Sequence, residues 1–498
     1  MSPSVHVAFD LGAESCRGVL ASYDGDQLAM QEVARFANRP VRLPDGLHWN
    51  LLGLYDGILA ALADLPHEES HTPRSIGIDS WGVDFGLLDE EGALIGNPYH
   101  HRDGRGAAAV ERALARVSRA ETYEITGIQF MPINTLFQLV GLEETSALDR
   151  AHTMLLVPDL LNFWLTGEIC AEATNASTTQ LLDVRTGGWA RSLLERLRLP
   201  TRIFPPVLEP GTTLGALRPD VAEIVGTARD TRVVAVASHD TAAAVVAAPL
   251  EGRTSAYISS GTWSLVGLEC TSPTLGARAL EANFTNERGF AGLIRLLKNV
   301  MGLWLVQECR RSWMREGAVP DYASLADLAS SAPAGGPLFD PDDPTLLAPG
   351  DMPSRIRRLC IERGQPDPVE RRVLLRAVFE SLACKYRLVL DELENVTGET
   401  VETIHIIGGG AQNRFLCQLA ANICGRPVLA GPVEAAALGN VLVQLYAFNE
   451  LRTLSEMREL VRGSTTLTAY VPDGNDSWSG VYERFRTLVE SHLPEAVR

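Results

Sequence analysis

The stretch "VHVAFDLGAESCRGVLASYDGDQLAMQEVARF", residues 5–36, decides the fold of this chain. Apolar and polar residues alternate in "VHVAFD", and the turn pair Asp24-Gly25 separates two further β-rich runs. This pattern predicts a meander of antiparallel strands. A second stretch, "TSAYISSGTWSLVGLEC" at residues 254–270, repeats the plan of β-rich run, glycine turn and β-rich run. The repeat predicts two domains of similar architecture that meet near residue 250.

Helical and strand-like segments alternate after each of these hairpins. Four of them are recognisable by their periodicity, at residues 49–65 (helix), 74–92 (strand, turn, strand), 369–398 (long helix) and 401–431 (strand, glycine turn, helix, strand). This mixture predicts α/β domains with central sheets. The Pro-, Gly- and Asp-rich residues 330–353 predict a long surface loop that packing keeps ordered.

Composition excludes several classes of function. The chain has 498 residues and a formal net charge of −18, which disfavours binding to nucleic acid or to anionic membranes. The beginning of the sequence does not resemble a signal peptide, and no apolar run is long enough to suggest a membrane-spanning helix. The eight cysteines include no CxxC pair, so we expect reduced thiols in a cytoplasmic protein.

The stretch "VVAVASHDTAAAVVAAP", residues 233–249, contains polar residues at its centre. His239, Asp240 and Thr241 stand there among small apolar residues, where an unpaired charge would be costly. One interpretation is that Asp240 caps the helix that follows, because Asp is a favoured N-cap. A second is that Asp240 acts on a phosphate or its acceptor, since helix N-termini also attract anions. The two interpretations are compatible.

Two turns are candidate phosphate or nucleotide sites. Asp10 ends a strand and is followed by a turn of small residues and Arg17, which is typical of either a phosphate loop or an ordinary hairpin. The stretch "IIGGGAQNRF", residues 406–415, places three glycines between a strand and a helix, with Asn413 where a dinucleotide fingerprint has its third glycine. A nicotinamide-binding fold is therefore disfavoured. The sequence also lacks a P-loop, an HExxH motif and a GxSxG motif.

Taken together, these stretches resemble the FGGY family of carbohydrate kinases over nearly the whole chain. The resemblance also covers the segments "PDLLNFWLTG", "TNASTTQLLDVRTGGW" and "GPVEAAALGN". It implies an α/β fold of two ribonuclease H-like (actin-like ATPase) domains, with mixed sheets flanked by helices and the active site in the interdomain cleft. The implied N-terminal domain spans residues 1–248 and the C-terminal domain residues 249–498.

Within the family, the resemblance is strongest to kinases that phosphorylate L-rhamnulose on O1. It rests on "IDSWGVDFGLLDEEG", "GIQFMPINTLFQL" and "LLKNVMGLWLVQE". Gly82 leaves space for a six-carbon ketose, and Trp81 and Phe85 are expected to supply apolar surface for a sugar that ends in a methyl group. The alternatives are a kinase for another ketose such as L-fuculose or L-xylulose, a sugar-binding regulator without catalysis, and a phosphohydrolase on the same scaffold.

The resemblance also implies roles for individual residues. Asp240 is the expected general base, and Asp10 is expected to hold Mg²⁺ through water. The sugar is expected to contact Gly82, His239, Asp240, Thr241 and Asn299. ATP is expected to contact Ala13, Glu14, Ser15, Cys16, Arg17, Thr262, Gln307 and Gly409. The implied partners are therefore a ketose and ATP, with no nucleic acid or membrane, in a monomer or homodimer.

One residue of the first turn departs from the family pattern. Cys16 stands where these kinases commonly have glycine, within Ser-Gly-Arg. If the position requires a positive φ, a cysteine there is strained. If the backbone approaches phosphate closely, the added Cβ weakens ATP binding.

Overall fold

The computed structural model describes residues 3–65, 72–226, 230–317, 319–475 and 477–491. It contains two compact units, each assembled from separate stretches of the chain. The first comprises Met1–Ala247, Cys270–Leu296 and Ala435–Ser464, and the second Ala248–Glu269, Leu297–Glu434 and Thr465–Arg498. The expected boundary between residues 248 and 249 stays a prediction about the family's domains. The compact units differ from it, because two later stretches pack with the first unit.

In the described ranges, the strands are β1 Ser4–Leu11, β2 Ser15–Tyr23, β3 Leu28–Ala37, β4 Val41–Leu43, β5 Gly46–His48, β6 Ser75–Ser80, β7 Phe85–Leu88, β8 Thr153–Leu156, β9 Ala171–Glu172, β10 Val207–Leu208, β11 Thr212–Ala216, β12 Arg232–Ala235, β13 Ser255–Ser260, β14 Trp263–Cys270, β15 Thr285–Arg288, β16 Ile294–Met301, β17 Thr403–Ile407, β18 Val428–Ala430 and β19 Thr468–Tyr470. The α-helices are α1 Leu51–Ala63, α2 Arg105–Arg116, α3 Arg119–Thr126, α4 Thr135–Gly141, α5 Ala147–Arg150, α6 Val157–Thr166, α7 Ala173–Ser177, α8 Arg191–Arg196, α9 Pro219–Val225, α10 Asp240–Val246, α11 Ala277–Glu281, α12 Trp304–Met314, α13 Tyr322–Ser330, α14 Met352–Glu362, α15 Arg371–Thr397, α16 Arg414–Cys424, α17 Ala435–Ala447, α18 Leu454–Ser464 and α19 Ser477–Glu490.

The main sheet of the first unit has the strand order β11-β12-β6-β1-β2-β3. Its central strand β1 is antiparallel to β2 and parallel to β6. β12 is parallel to β6, and β11 is antiparallel to β12. The sheet is therefore mixed, as the α/β prediction requires, and the predicted meander of β1, β2 and β3 is confirmed.

Six strands of the second sheet follow the same plan, in the order β19-β18-β17-β13-β14-β16. Its central strand β13 is antiparallel to β14 and parallel to β17, and β18 continues the parallel part. β19 ends the sheet antiparallel to β18, as β11 does in the first sheet. The architectural repeat predicted from the two hairpin stretches is thus present in the strand orders.

Helices flank both sheets at the predicted places. The periodic segment at 49–65 forms α1, and the long amphipathic segment forms α15, which ends at Gly398 in the left-handed conformation. The segment at 401–431 forms β17, a glycine turn, α16 and β18, as predicted. Packing orders residues 330–353, as predicted, because Leu338, Phe339 and Leu346 are buried and anchor them.

The first unit buries its apolar residues on both faces of its sheet. One hydrophobic cluster joins β1, β6, α1, α6 and α9. On α17, Ala437, Gly439 and Val441 are buried, and the helix packs against α10 and against strands β1 and β6. No helix within the described ranges is long and apolar enough to cross a membrane.

We predict that Gly439→Ala destabilises the protein. A Cβ on Gly439 would lie 1.8 Å from the Ala243 carbonyl oxygen of α10, so the two helices must separate. Such overpacking lowers the free energy of unfolding by about 1–3 kcal/mol, which a thermal melt followed by circular dichroism would detect. Gly463 of α18 is the matched control, because a Cβ there meets no atom within 4 Å. An unchanged melting temperature in Gly439→Ala would contradict the close packing of α10 and α17.

Candidate active site

Three carboxylates of the first unit are close enough to act on one another. Asp10 lies on β1 directly opposite Asp79 of β6 in the parallel register, so the two side chains emerge on the same face of the sheet. The Ser80 N–H donates to the Ser238 carbonyl at 2.9 Å, which joins β6 to the residues before Asp240. The Asp240 carboxylate is the exposed member of the set, with 32% of its side chain accessible.

The electrostatics of this group indicate excess negative charge. Burial raises the pKa of Asp10 to about 6, against the lowering effect of Arg17, and Asp240 raises it further. Burial, followed by the charge of Asp10, raises the pKa of Asp79 well above its usual range. The Arg17 guanidinium lies 3.1 Å from the Asp10 carboxylate and forms an ion pair with it. A further cation or a proton would stabilise this cluster.

The turn between β1 and β2 contains the residues expected to contact ATP phosphates. Ala13 and Glu14 lie in the turn, and Ser15, Cys16 and Arg17 begin β2. The Gly12 N–H donates to the Ser15 carbonyl, which closes the turn.

The strain expected at Cys16 is absent. Cys16 pairs with Leu11 in the antiparallel register and has no positive φ. Its side chain is fully buried in the apolar cluster of the sheet, and burial raises its pKa to about 12. The added Cβ therefore points into the core, where it cannot obstruct a ligand at the turn.

The helix that follows the His-Asp-Thr triplet begins one residue earlier than expected. Asp240 is its first residue and His239 is its N-cap, and the His239 side chain makes no capping hydrogen bond. The interpretation of Asp240 as the N-cap is therefore wrong. Its Oδ1 accepts from the Thr241 N–H at 2.5 Å, and 32% of the side chain remains accessible.

His239 is held from one side by a buried ion pair. The Arg295 guanidinium donates to Glu287 Oε2 at 2.9 Å, and both side chains are buried. Arg295 Nη2 lies 3.1 Å from His239 Nδ1, and Glu287 Oε2 lies 3.3 Å from the same nitrogen. The other ring nitrogen, Nε2, is 3.5 Å from Asp240 Oδ1. The imidazole thus connects a fixed buried pair with the exposed carboxylate.

Glu172 holds the backbone in front of Asp240. Its Oε2 accepts from the Ser238 N–H at 3.0 Å and from the Ser238 hydroxyl at 2.7 Å. The same carboxylate accepts from the N–H groups of Thr174 and Asn175 at the start of α7. One buried side chain therefore joins β9, α7 and the segment that carries His239 and Asp240.

Gly82 is required by a neighbour within the protein. A Cβ at Gly82 would lie 2.8 Å from Thr178 Oγ1, which accepts from the Val83 N–H. Val83 has a φ of 69°, an uncommon conformation for a β-branched residue. Thr135 Oγ1 donates to the Val83 carbonyl at 2.6 Å and helps to hold it there.

Trp81 and Phe85, which were expected to supply apolar surface for a sugar, are each only 7% exposed and lie mostly in the core. Trp81 instead has a polar partner. Its Nε1–H donates to Asp84 Oδ2 at 2.8 Å, as does the Nε1–H of Trp49 at 2.6 Å. His101 Nδ1 lies 2.7 Å from the same oxygen. Asp84 therefore orders the aromatic residues beside Gly82.

The second unit contains the remaining expected residues. Thr262 lies in the turn between β13 and β14, and Asn299 lies on β16. Gln307 of α12 donates from Nε2 to Thr262 Oγ1 at 3.5 Å, so these two residues are brought together. Gly409 follows β17, and a Cβ there would meet no atom within 4 Å. A Cβ on the next residue, Gly410, would lie 2.0 Å from Ser260 Oγ, so the glycine turn packs against the end of β13.

Several residues that shape this site were not predicted from the sequence. They are Asp79, Glu172, Glu287 and Arg295. Asp79 could have been found from the sequence, because a charged residue in the apolar run "SIGIDSW" is unusual for a buried strand. Glu172, Glu287 and Arg295 lie in separate segments, and only their spatial contacts reveal them.

Family models match both halves of the chain. The N-terminal domain of the FGGY family of carbohydrate kinases matches residues 5–247, and the C-terminal domain of the same family matches residues 256–448. Among curated relatives, a rhamnulokinase of Bacteroides thetaiotaomicron is 41% identical over 484 residues, covering 97% of this chain and 99% of the relative. A rhamnulokinase of Pectobacterium carotovorum is also 41% identical, over 97% of this chain and 96% of the relative.

Solved structures share the fold at lower identity. A gluconate kinase from Lactobacillus acidophilus aligns with a TM-score of 0.80 at 18% identity, covering 98% of each chain. A ligand-bound xylulose kinase from the same organism aligns with a TM-score of 0.79 at 18% identity, covering 98% of this chain and 97% of that one. These structures support the two-domain fold with mixed sheets flanked by helices.

We predict that Glu172→Gln destabilises the first unit. The new amide presents N–H groups to Thr174 or to Ser238, whichever way it is turned, and each of these needs an acceptor. Leaving buried donors without an acceptor lowers the free energy of unfolding by about 1–3 kcal/mol. Urea unfolding would measure the loss, with the exposed Glu168→Gln as control. Equal stability of the two variants would show that Glu172 does not hold the segment together.

Proposed function

This chain belongs to the FGGY family of carbohydrate kinases, and on that premise we propose that it transfers the γ-phosphoryl group of ATP to O1 of L-rhamnulose. Curated relatives named rhamnulokinase, at 41% identity over 97% of the chain, support this substrate. The observation that carries the chemistry is the Asp240 carboxylate. It is accessible, and it sits beside His239 on a backbone fixed by Glu172.

The reaction needs a base because an alcohol is a poor nucleophile while it keeps its proton. Asp240 accepts the proton of the O1 hydroxyl as that oxygen attacks the γ-phosphorus and the bond to ADP breaks. One Asp240 oxygen is engaged by the Thr241 N–H, which orients the carboxylate. The exposed part of the carboxylate receives the proton.

The sugar's remaining hydroxyls need donors and acceptors. We assign them to His239, Thr241 and Asn299, with the backbone at Gly82 as a further contact. The Arg295–Glu287 pair supports this assignment for His239, because it fixes the imidazole ring before the sugar binds. Such preorganisation reduces the entropy lost on binding.

We assign ATP binding to two sets of residues, one in each unit. In the first unit these are Ala13, Glu14, Ser15, Cys16 and Arg17, where Cys16 contributes backbone only and Arg17 contributes charge. In the second unit we assign Thr262 to the phosphates, and Gln307 and Gly409 to the nucleotide. The open space at the Cα of Gly409 supports a close approach of the ligand there.

Mg²⁺ fits the carboxylate oxygens of Asp10, because this ion prefers oxygen ligands and keeps much of its water. Among the described residues, no group of three or more His, Cys, Asp and Glu side chains could hold a metal ion directly. A water-mediated contact to Asp10 is consistent with both facts. When bound, Mg²⁺ would neutralise charge on the phosphates.

The cell compartment and assembly are also part of the proposal. The eight cysteines are free thiols, which supports a cytoplasmic location, where thiols stay reduced. The net charge of −18 supports small molecules rather than nucleic acid as partners. A monomer or a homodimer is compatible with this activity.

Coupled ADP release with Mg-ATP and a panel of ketoses tests the substrate. L-Rhamnulose is expected to give the highest kcat/KM, ahead of L-fuculose and L-xylulose. A higher kcat/KM for either of the other ketoses would reassign the substrate within the family. ATP turnover that needs no sugar would instead indicate a phosphohydrolase, and binding of sugar without turnover would indicate a regulator.

We predict that Asp240→Asn lowers kcat by about 10²–10⁴-fold, the usual contribution of a general base. Asn has the same shape and its Oδ1 can still accept from the Thr241 N–H, so ketose affinity and melting temperature should change little. Steady-state kinetics with isothermal titration of the ketose would measure both effects. Full turnover by a folded Asp240→Asn enzyme would show that another group takes the proton.

A further inference from the structure

A buried chain of hydrogen bonds connects helix α17 to the two central strands and ends on Asp79. Gln444 Nε2 lies 3.0 Å from the Val7 carbonyl, which can only accept, so the orientation of the Gln444 amide is fixed. The same amide nitrogen donates to Asn440 Oδ1 at 2.7 Å. Asn440 must therefore turn its Nδ2 toward Asp79, and it donates to Asp79 Oδ2 at 2.6 Å.

The hydrogen bonds at the other end of this network, at Ser75 and His6, also run toward Asp79. The Ser75 hydroxyl gives its one proton to Gln444 Oε1 at 2.6 Å, so it accepts from His6 Nδ1 at 2.7 Å. Burial lowers the pKa of His6 to about 4, so the imidazole is neutral near pH 7. The side chains of His6, Ser75, Gln444 and Asn440 each donate toward Asp79. The chain orients one carboxylate and transfers no proton through its amides.

The second oxygen of Asp79 is left without a partner. Asp79 is 0% exposed, and its Oδ1 makes no hydrogen bond in the structure. The charges that act on this carboxylate are Asp10, Asp240 and Arg17, which lie at the candidate active site. A buried carboxylate oxygen without a donor is costly. Asp159 Oδ2 is also buried without a partner, but only Asp79 lies beside the acids of the candidate active site, where a bound ligand can supply the donor.

A metal ion bound directly to Asp79 Oδ1 is disfavoured. In the described ranges, no group of three or more acidic, His or Cys side chains is placed to hold an ion. A purely structural role for Asp79 accounts for the hydrogen bond from Asn440 to Oδ2, but it does not account for the unpartnered Oδ1. Water bound to a divalent cation satisfies Oδ1, because cation-bound water is a strong hydrogen-bond donor.

We propose that Asp79 is a second carboxylate of the divalent-cation site, whose Oδ1 accepts a hydrogen bond from a cation-bound water beside Asp10. The proposal rests on the proposed kinase function, because the cation arrives with ATP. Asn440 is a positioning residue, since it acts only through Asp79. Asp79 would therefore join Asp10 in accepting hydrogen bonds from the water around the cation.

Titration calorimetry of Asp79→Asn tests the proposal without turnover. The dissociation constant of a non-hydrolysable ATP analogue is measured without metal and with Mn²⁺. The first constant divided by the second is the enhancement of binding by Mn²⁺. In the wild-type protein Mn²⁺ is expected to strengthen binding. In Asp79→Asn this enhancement should fall by about 10- to 100-fold, the usual effect of losing a group that supports a metal's ligands. Binding of the metal-free analogue should stay the same or improve, because an acidic group near the phosphates is removed.

Asp159→Asn is the matched control. Asp159 is another buried acid of the first unit whose Oδ2 makes no hydrogen bond, but the charge that acts on it is Glu172 and not an acid of the candidate active site. It should keep the wild-type enhancement. An unchanged enhancement in Asp79→Asn, or an equal loss in Asp159→Asn, would overturn the proposal. A wild-type protein that binds no nucleotide would instead refute the kinase function itself. If Asp79→Asn does not fold, as judged by its melt, Asp79→Ser carries the same expected result.

Discussion

The parallel pairing of β1 with β6 is the constraint on which the first unit depends. Because Asp10 and Asp79 occupy the same level of adjacent strands, two carboxylates are forced onto one face of the sheet. Burial and mutual repulsion then favour their protonated forms. The ion pair with Arg17 and the amide of Asn440 offset part of this cost. A cation bound beside these two side chains would favour their ionised forms.

The same logic extends to the residues around Asp240. The Asp240 carboxylate is partly exposed, while Glu172 and Glu287, which hold its neighbours, are buried and accept hydrogen bonds. Glu172 accepts from two segments and holds the Ser238 backbone, and Glu287 is paired with Arg295. Burial by itself would raise the pKa of Glu287, but Arg295 and His239 lower it below its ordinary value. Fixed charges of this kind make a site rigid, since their partners cannot move without leaving them unsatisfied.

Sequence patterns were sufficient for the elements and for the repeat. Alternation predicted β1 and β2, helical periodicity predicted α1 and α15, and the glycine run predicted the turn after β17. The sequence patterns did not predict the surroundings of individual side chains. Cys16 would be strained if its position required a positive φ, yet it is an extended residue of β2 with its side chain in the core. Trp81 and Phe85 were expected to face a ligand, and both are buried.

The amino-acid sequence by itself determined several strands and helices, the two similar halves, the family, and the segments that carry Asp10 and Asp240. These follow from local periodicity, turn residues and motifs, which are properties of neighbouring residues in the chain. Only the tertiary structure decided that α17, more than 350 residues after β6, supplies Asn440 to Asp79, and that Arg295 reaches His239. The physical reason is that hydrogen bonds and burial depend on distance in space. Residues far apart in the sequence meet only when the sheet and its helices have packed.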